Sequence, residues 1–317
     1  MNMHNRSRKK KSPRILCIGM PVRDLIFRVA GLPERGNKEH ATGFVELAGG
    51  NSLNAGVAIA RLGGRVTLSG PIGGPQEKTS VYIYDQMHEE GIDTSYLVKM
   101  PGLVTPISNI MIDPSGERTI VTYRDPKMWT VQLPDTDKLL AECDAILTEN
   151  RCAEFVTDIC AEAQRRGIPV VIDADRLMSL REGLLQVSSH IIFSAEALRA
   201  TAGESDEIAS LRKIAKLTPA FLGVTSGAKG VQWLDDKGEP KHMPAFPVHT
   251  VDTLGAGDAF HGAFTLAVAE GQPLEDAMRF ASATAALKCT RFGGAFASPQ
   301  RIEVDALLAS STVALTV

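Results

Sequence analysis

The chain is 317 residues long, 44% hydrophobic and 22% charged, with a formal net charge of −3. That length admits one large α/β domain or two smaller ones. The composition is that of an ordinary globular protein, the slightly acidic balance argues against a general nucleic-acid binder, and no apolar run is long enough to span a bilayer.

In chain order, residues 1–13 form a polar tail. Its one basic run, residues 6–11, is expected to be solvated and disordered, and no apolar segment follows it as in a secretory signal. Residues 14–19 (RILCIG) read as a buried first strand. Residues 54–62 have helical apolar spacing and end at Gly63-Gly64, a helix-stop signal. A strand at 65–70 and a helix at 81–90 follow. Short apolar runs at 145–148, 170–173, 190–193 and 220–225 then alternate with helical stretches at 152–166, 195–202 and 208–217. This alternation predicts a doubly wound, mostly parallel sheet flanked by helices. Two stretches, 24–47 and 105–123, instead alternate apolar with polar residues. The second reads as a hairpin around Asp113-Pro114-Ser115-Gly116-Glu117. Cys17, Cys143, Cys152, Cys160 and Cys289 are odd in number and contain no C-x-x-C pair, so buried, reduced thiols in a cytoplasmic protein are expected.

The most informative segment is Val251-Asp252-Thr253-Leu254-Gly255-Ala256-Gly257-Asp258-Ala259-Phe260-His261-Gly262, a Gly-Ala-Gly turn running into an apolar helix over 259–270. Amides at a helix N-terminus are unpaired and favour negative charge. Glycines let the main chain approach an anion, and an acid in the first turn can take a proton from a hydroxyl held beside it. Such a layout suits phosphoryl transfer; the plainer alternative is a capping acid after a glycine turn.

The run D-T-x-G-A-G-D-x-F-x-G resembles the C-terminal signature of the ribokinase-like (PfkB) carbohydrate kinases. The N-terminal signature of that family is matched by Gly49-Gly50-Asn51-Ser52-Leu53-Asn54-Ala55-Gly56-Val57-Ala58-Ile59-Ala60-Arg61-Leu62-Gly63. The resemblance implies one ribokinase-like kinase domain over 14–317, with a small β-sheet lid from about 24–48 and 105–124 through which such proteins often form homodimers. It implies ATP and Mg²⁺ as cofactors, a small sugar as substrate, and neither nucleic acid nor membrane as partner. It makes Asp258 the catalytic base, with Gly255, Ala256 and Gly257 supplying amides to the transferred group. Asp24, Gly49, Gly50, Asn51 and Asn54 would hold the sugar. Thr225, Gly227, Lys229 and Gly230 would line the nucleotide phosphates and ribose, with Ala283, Ala286 and Gly293 at the adenine. Carbonyls of Asp252, Leu254 and Arg291 fall where relatives hold a monovalent cation such as K⁺. One departure is plain: the Asn-x-x-Glu that organises magnesium in the family is Ser194-Ala195-Glu196-Ala197 here, leaving Glu196 one place out of register.

Within the family, Gly31-Leu32-Pro33-Glu34, Gly116-Glu117-Arg118, Pro244-Ala245-Phe246 and Arg279-Phe280-Ala281-Ser282 are similar to the sulfofructose kinase branch. That branch phosphorylates the C1 hydroxyl of 6-deoxy-6-sulfofructose. The likeness implies that Lys38 and Arg151 grip the sulfonate, with Thr122 where the branch has an Asn. Alternatives are a neutral ketose such as fructose, 2-keto-3-deoxygluconate, a nucleoside, or a non-catalytic sugar or nucleotide sensor. A dinucleotide dehydrogenase and a Walker A NTPase are excluded by their missing glycine motifs.

Overall fold

In the computed structural model, residues 12–116, 118–180 and 183–311 are described. The basic run 6–11 and the turn residue Glu117 lie outside them. The chain opens with strand β1 (Arg14–Ile18), leaves it for β2 (Val22–Arg28) and β3 (Gly43–Gly49), and returns through helix α1 (Asn51–Arg61) to β4 (Arg65–Gly73). Helix α2 (Lys78–Glu89) and β5 (Asp93–Met100) follow, then a second excursion into β6 (Ile107–Ile112) and β7 (Arg118–Tyr123). The short helix α3 (Thr136–Leu140) leads to β8 (Ala145–Glu149), α4 (Ala153–Arg165), β9 (Val170–Ala174), α5 (Leu184–Val187) and β10 (His190–Ser194). Helices α6 (Ala195–Ala202) and α7 (Glu207–Ala215) precede β11 (Phe221–Thr225) and the hairpin of β12 (Val231–Leu234) and β13 (Pro240–Met243). Helices α8 (Ala256–Ala269), α9 (Leu274–Cys289) and α10 (Arg301–Ser310) close the fold.

Nine strands form one sheet in the order β13-β12-β11-β10-β9-β8-β1-β4-β5, parallel except for the β12–β13 hairpin at one edge. Strand order reverses about β1, and in such sheets ligands bind beyond the carboxyl ends at the reversal. Strands buried on both faces carry unbroken apolar runs, as parallel strands do. One face packs on α1, α2, α8 and α9, the other on α4, α6 and α7. The two excursions build a second, four-stranded sheet, β3-β2-β6-β7, in which β2 and β6 are parallel and the outer pairs antiparallel.

Elements that the sequence pattern leaves unread have physical reasons. In α9 the buried set Ala277, Met278, Phe280, Ala281, Ser282, Ala283, Thr284 and Ala286 covers nearly the whole circumference, so little helical periodicity survives. Strand β5 mixes polar and apolar residues on a partly exposed edge. The helix expected at 54–62 begins three residues earlier, at Asn51, and the one expected at 259–270 begins at Ala256. All five cysteines are unpaired, but Cys143 and Cys289 are only half-buried.

Candidate active site

Helix α8 starts on Gly255, whose φ of 78° is a left-handed conformation suited to glycine. No side chain caps this end. The Ala256 amide donates to the Thr253 carbonyl and the Ala259 amide to that of Gly255. Among the described residues nothing takes the amides of Gly257 and Asp258. Two donors and the positive end of a 14-residue helix are therefore free for an anion.

Asp258 lies in that first turn, half-buried. Its position is set by close helix packing: a Cβ on Gly262 would lie 2.5 Å from the Ala55 carbonyl oxygen, so only glycine lets α8 press this closely on α1. That contact brings Asn54 Nδ2 to 2.7 Å from Asp258 Oδ2, to which it donates. Burial pushes the Asp258 carboxyl up to about 7, the neighbouring Asp173 adds to the rise, and the Asn54 donor opposes it.

Beneath Asp258 lies a polar cluster that joins Asn51 and Arg151 to four groups to which the sequence assigned no role, Asp173, Asp175, His261 and Glu149. Asp173, at the carboxyl end of β9, is buried and receives Asn51 Nδ2 at 3.0 Å; the same amide donates to Asp175 Oδ2 at 3.1 Å. Burial raises the Asp173 carboxyl, with His261 opposing. Buried His261 sets Nδ1 2.8 Å from the Gly257 carbonyl oxygen and Nε2 3.5 Å from Asp173 Oδ1. Glu149, at the carboxyl end of β8, is pushed up to about 8, first by burial, with Arg151 pulling the other way. Arg151 is no surface charge. Its guanidinium bonds Asp175, and its Nε lies 3.0 Å from Glu149 Oε2 without hydrogen-bond alignment. Arg124, just beyond β7, shares this field with Arg151, Arg176, Glu149 and Asp175, and its buried Nε has no hydrogen-bond partner; nor does Asp175 Oδ1.

The small sheet supplies another group. Asp24 on β2 is buried against the backbone of Gly49, where any Cβ would collide with its carboxylate. Burial raises its carboxyl to about 6, with Ser108 opposing. Ser108 Oγ is 3.3 Å from Thr122 Oγ1, so Thr122, Ser108 and Asp24 share one face. Gly50 then caps α1, which carries Asn51 and Asn54. Lys38 is not gathered in: it stands exposed in the loop between β2 and β3, and no contact ties it to Arg151.

At the neighbouring edge, Thr225 ends β11, and residues 227–229 make a single 3₁₀ turn closed by the Ser226 amide donating to the Gly230 carbonyl. Lys229 points an exposed side chain outward from this turn. Ala283 and Ala286 lie buried on α9, and Gly293 is in the turn after it. Glu196 is exposed in the first turn of α6, and among the described residues no cluster of three or more His, Cys, Asp or Glu could hold a metal. Asp252 is buried: Oδ1 accepts the Leu254 amide and Oδ2 those of Gly293 and Gly294. Arg291 is exposed and turns its side chain to Glu303. Asp252 is also paired with the fully buried Lys288, which the sequence reading passed over.

A signal for the missed acids was present. Val170-Val171-Ile172-Asp173 is an acid at the end of a wholly apolar strand, and an acid so placed is rarely buried without partners.

The sequence matches the family described as pfkB family carbohydrate kinase over residues 12–301. It is 27% identical to ribokinase from Bacillus subtilis over 297 residues, covering 93% of this chain and 99% of that one. The crystal structure of a candidate ribokinase from Agrobacterium tumefaciens superposes with a TM-score of 0.89 at 35% identity, covering 94% and 98% of the two chains. A fructokinase from Xylella fastidiosa with bound ATP superposes with a TM-score of 0.77 at 25% identity, covering 93% and 98%. Among the described residues no helix is long and apolar enough to cross a membrane.

Proposed function

The chain belongs to the pfkB family of carbohydrate kinases, and from that premise we propose that Asp258 is the base of an ATP-dependent sugar kinase whose sugar carries an anionic group at its far end. One observation carries the reading: a carboxylate with its pKa raised to about 7 stands in the first turn of a helix whose Gly257 and Asp258 amides have no partner among the described residues. A base is most effective when its pKa lies near the working pH. As the sugar oxygen bonds to the γ-phosphorus, its proton passes to Asp258 and the bond to the β,γ-bridging oxygen of ATP breaks, releasing ADP. The Gly257 and Asp258 amides meet the charge spread over the transferring group. Mg²⁺ would be held mainly by the ATP phosphates, whose oxygens this ion favours, and would offset their charge; Glu196 is the carboxylate we assign to help hold it.

The anionic end is supported by Arg151 and Arg124, two guanidiniums that share one field with Asp175, which Arg151 bonds, and with the buried Glu149, whose pKa is raised to about 8. Planar guanidinium groups suit sulfonate or carboxylate oxygens. We therefore take the C1 hydroxyl of 6-deoxy-6-sulfofructose as the first acceptor to test. ADP release should be measured across that sugar, 2-keto-3-deoxygluconate, fructose, ribose and a nucleoside. The reading expects the highest kcat/KM on an anionic sugar. Preference for a neutral ketose or nucleoside would remove the anion from the proposal, and no turnover on any sugar would favour a non-catalytic sensor. A homodimer through the small sheet is supported by exposed Phe44, Ile120, Val121 and Tyr123. Sedimentation of the wild type against Val121→Asp tests it, and a monomeric wild type would refute it.

A further inference from the structure

Lysine is almost never fully buried unless paired, yet Lys288 is 0% exposed at the last turn of α9. Its ammonium donates to the Asp252 carbonyl oxygen at 2.9 Å and lies 3.1 Å from Asp252 Oδ2. The same carboxylate binds the amides of Leu254, Gly293 and Gly294. The Asp252 and Val251 amides in turn donate to the Cys289 carbonyl. Lys288 and Asp252 together therefore fasten the turn that feeds α8 to the turn that follows α9. Those turns also abut directly: a Cβ on Gly255 would come within 3.2 Å of the Ala295 amide nitrogen.

A monovalent cation held by the carbonyls of Asp252, Leu254 and Arg291 does not fit these residues. The Asp252 carbonyl already serves the ammonium, and a second positive charge on the same oxygen would face a fixed, buried one that cannot move away. At such distances in a poorly solvated interior, like charges repel strongly. An ammonium group has the charge of K⁺, is similar in size, and is held here by a covalent stem.

We propose that Lys288 replaces a monovalent cation beneath the anion-binding end of α8, so that this kinase works without K⁺. Lys288 is a positioning residue. It holds the 252–255 turn and leaves a positive charge behind the amides that receive the phosphoryl group.

The test has a structural arm and a kinetic arm. Crystals of the full chain with ADP are soaked in Tl⁺, a K⁺ mimic with strong anomalous scattering. The wild type should show no Tl⁺ at the Asp252 and Leu254 carbonyls, whereas Lys288→Ala should bind it there. With the sugar that turns over best, wild-type kcat should change less than about twofold when K⁺ is replaced by tetramethylammonium at equal ionic strength. Lys288→Ala should fall by roughly tenfold or more, about the effect of one lost charge-assisted contact, and K⁺ should restore most of the loss. A purely structural lysine would give no such rescue. Tl⁺ bound at these carbonyls in the wild type, or fivefold activation of the wild type by K⁺, would overturn the proposal. Should Lys288→Ala not fold, the wild-type measurements still decide. The kinetic arm rests on the kinase reading; the Tl⁺ arm does not, so the two can fail separately.

Discussion

The two sides of the candidate site are held by different means. Around Asp258, polar groups of α1, α8 and the end of β9 are bonded together: Asn54 to Asp258, Asn51 to Asp173 and Asp175, His261 to the Gly257 carbonyl. On the small sheet, Ser108 and Thr122 share one hydroxyl contact, Asp24 rests against Gly49, and Lys38 stands in an exposed loop. The sheet meets the 252–255 turn through a seam in which Leu254 and Phe292 pack on Ile26, Ile110 and Ile112 and Arg118 donates to Thr253 Oγ1. Groups bonded to one another around Asp258 fix geometry for any substrate, whereas a surface with fewer such bonds can vary what it accepts. Changes to Asp258 and to Asn54 and Asp173 around it should therefore act on every sugar, whereas changes to Arg151 at the far end of the site, or to the small sheet, should act on some sugars only.

The largest effect should come from Asp258→Asn. Asparagine keeps the size but cannot serve as a base at neutral pH. Turnover should fall at least ~10²-fold with every sugar accepted, while ATP affinity measured by calorimetry stays close to wild type. Near-normal turnover in the folded variant would place the base elsewhere.

Next in size is Arg151→Ala. Hydrogen bonds to charged groups contribute about 1.5–3 kcal/mol, so kcat/KM for an anionic ketose should drop roughly 10- to 100-fold. A neutral ketose should be far less affected, and the KM for ATP barely changed. Arg151→Lys should rescue little, because the planar fork is lost. Equal losses on both sugars would make Arg151 a structural partner of Asp175 and return the substrate to a neutral sugar.

A smaller effect sharpens the comparison through pH. Asp258 must be ionised to act, so with its pKa raised to about 7 the free-enzyme kcat/KM should climb through neutral pH and level off above it. Asn54 stabilises the ionised form, so Asn54→Ala should raise this pKa and move the rising limb to higher pH. Asp173 disfavours the ionised form, so Asp173→Asn should move it to lower pH. Shifts of the same sign in both variants would break the electrostatic account of the base.

What the sequence made legible follows the same division. Asp258, Gly255 and Asn54 sit in continuous motifs, strand–helix alternation was enough to anticipate a mostly parallel sheet, and the small sheet came from the two stretches that interrupt it together with the family resemblance. The acids under the base were not legible in this way. Glu149, Asp173 and Asp175 come together only because β8 and β9 are neighbours in the sheet, and Arg124 joins them from the end of the small sheet. Lys288 was hidden differently: α9 is buried almost all round, so no apolar stripe marks which of its positions face inward. The positions of helix starts were misjudged because Gly50 and Gly255 cap α1 and α8 without a capping side chain to mark them.

The smallest expected effect concerns Lys38, and it tests how far the small sheet contributes at all. Resemblance pairs this lysine with Arg151 on one anion, but here it is solvated in the loop between β2 and β3, where screening and side-chain entropy leave little net attraction. If the loop stays open during turnover, Lys38→Ala should change kcat/KM for an anionic ketose by no more than about twofold, consistent with an exposed charge. If the loop folds over the sugar, the loss should approach that of Arg151→Ala. The double variant then separates the cases. Independent residues should give additive losses, whereas two donors on one anion should couple by about 0.5–3 kcal/mol, as contacting residues do. Additive losses would assign anion recognition to Arg151 and Arg124 without the β2–β3 loop, and leave Asp24 on the small sheet to the sugar hydroxyls.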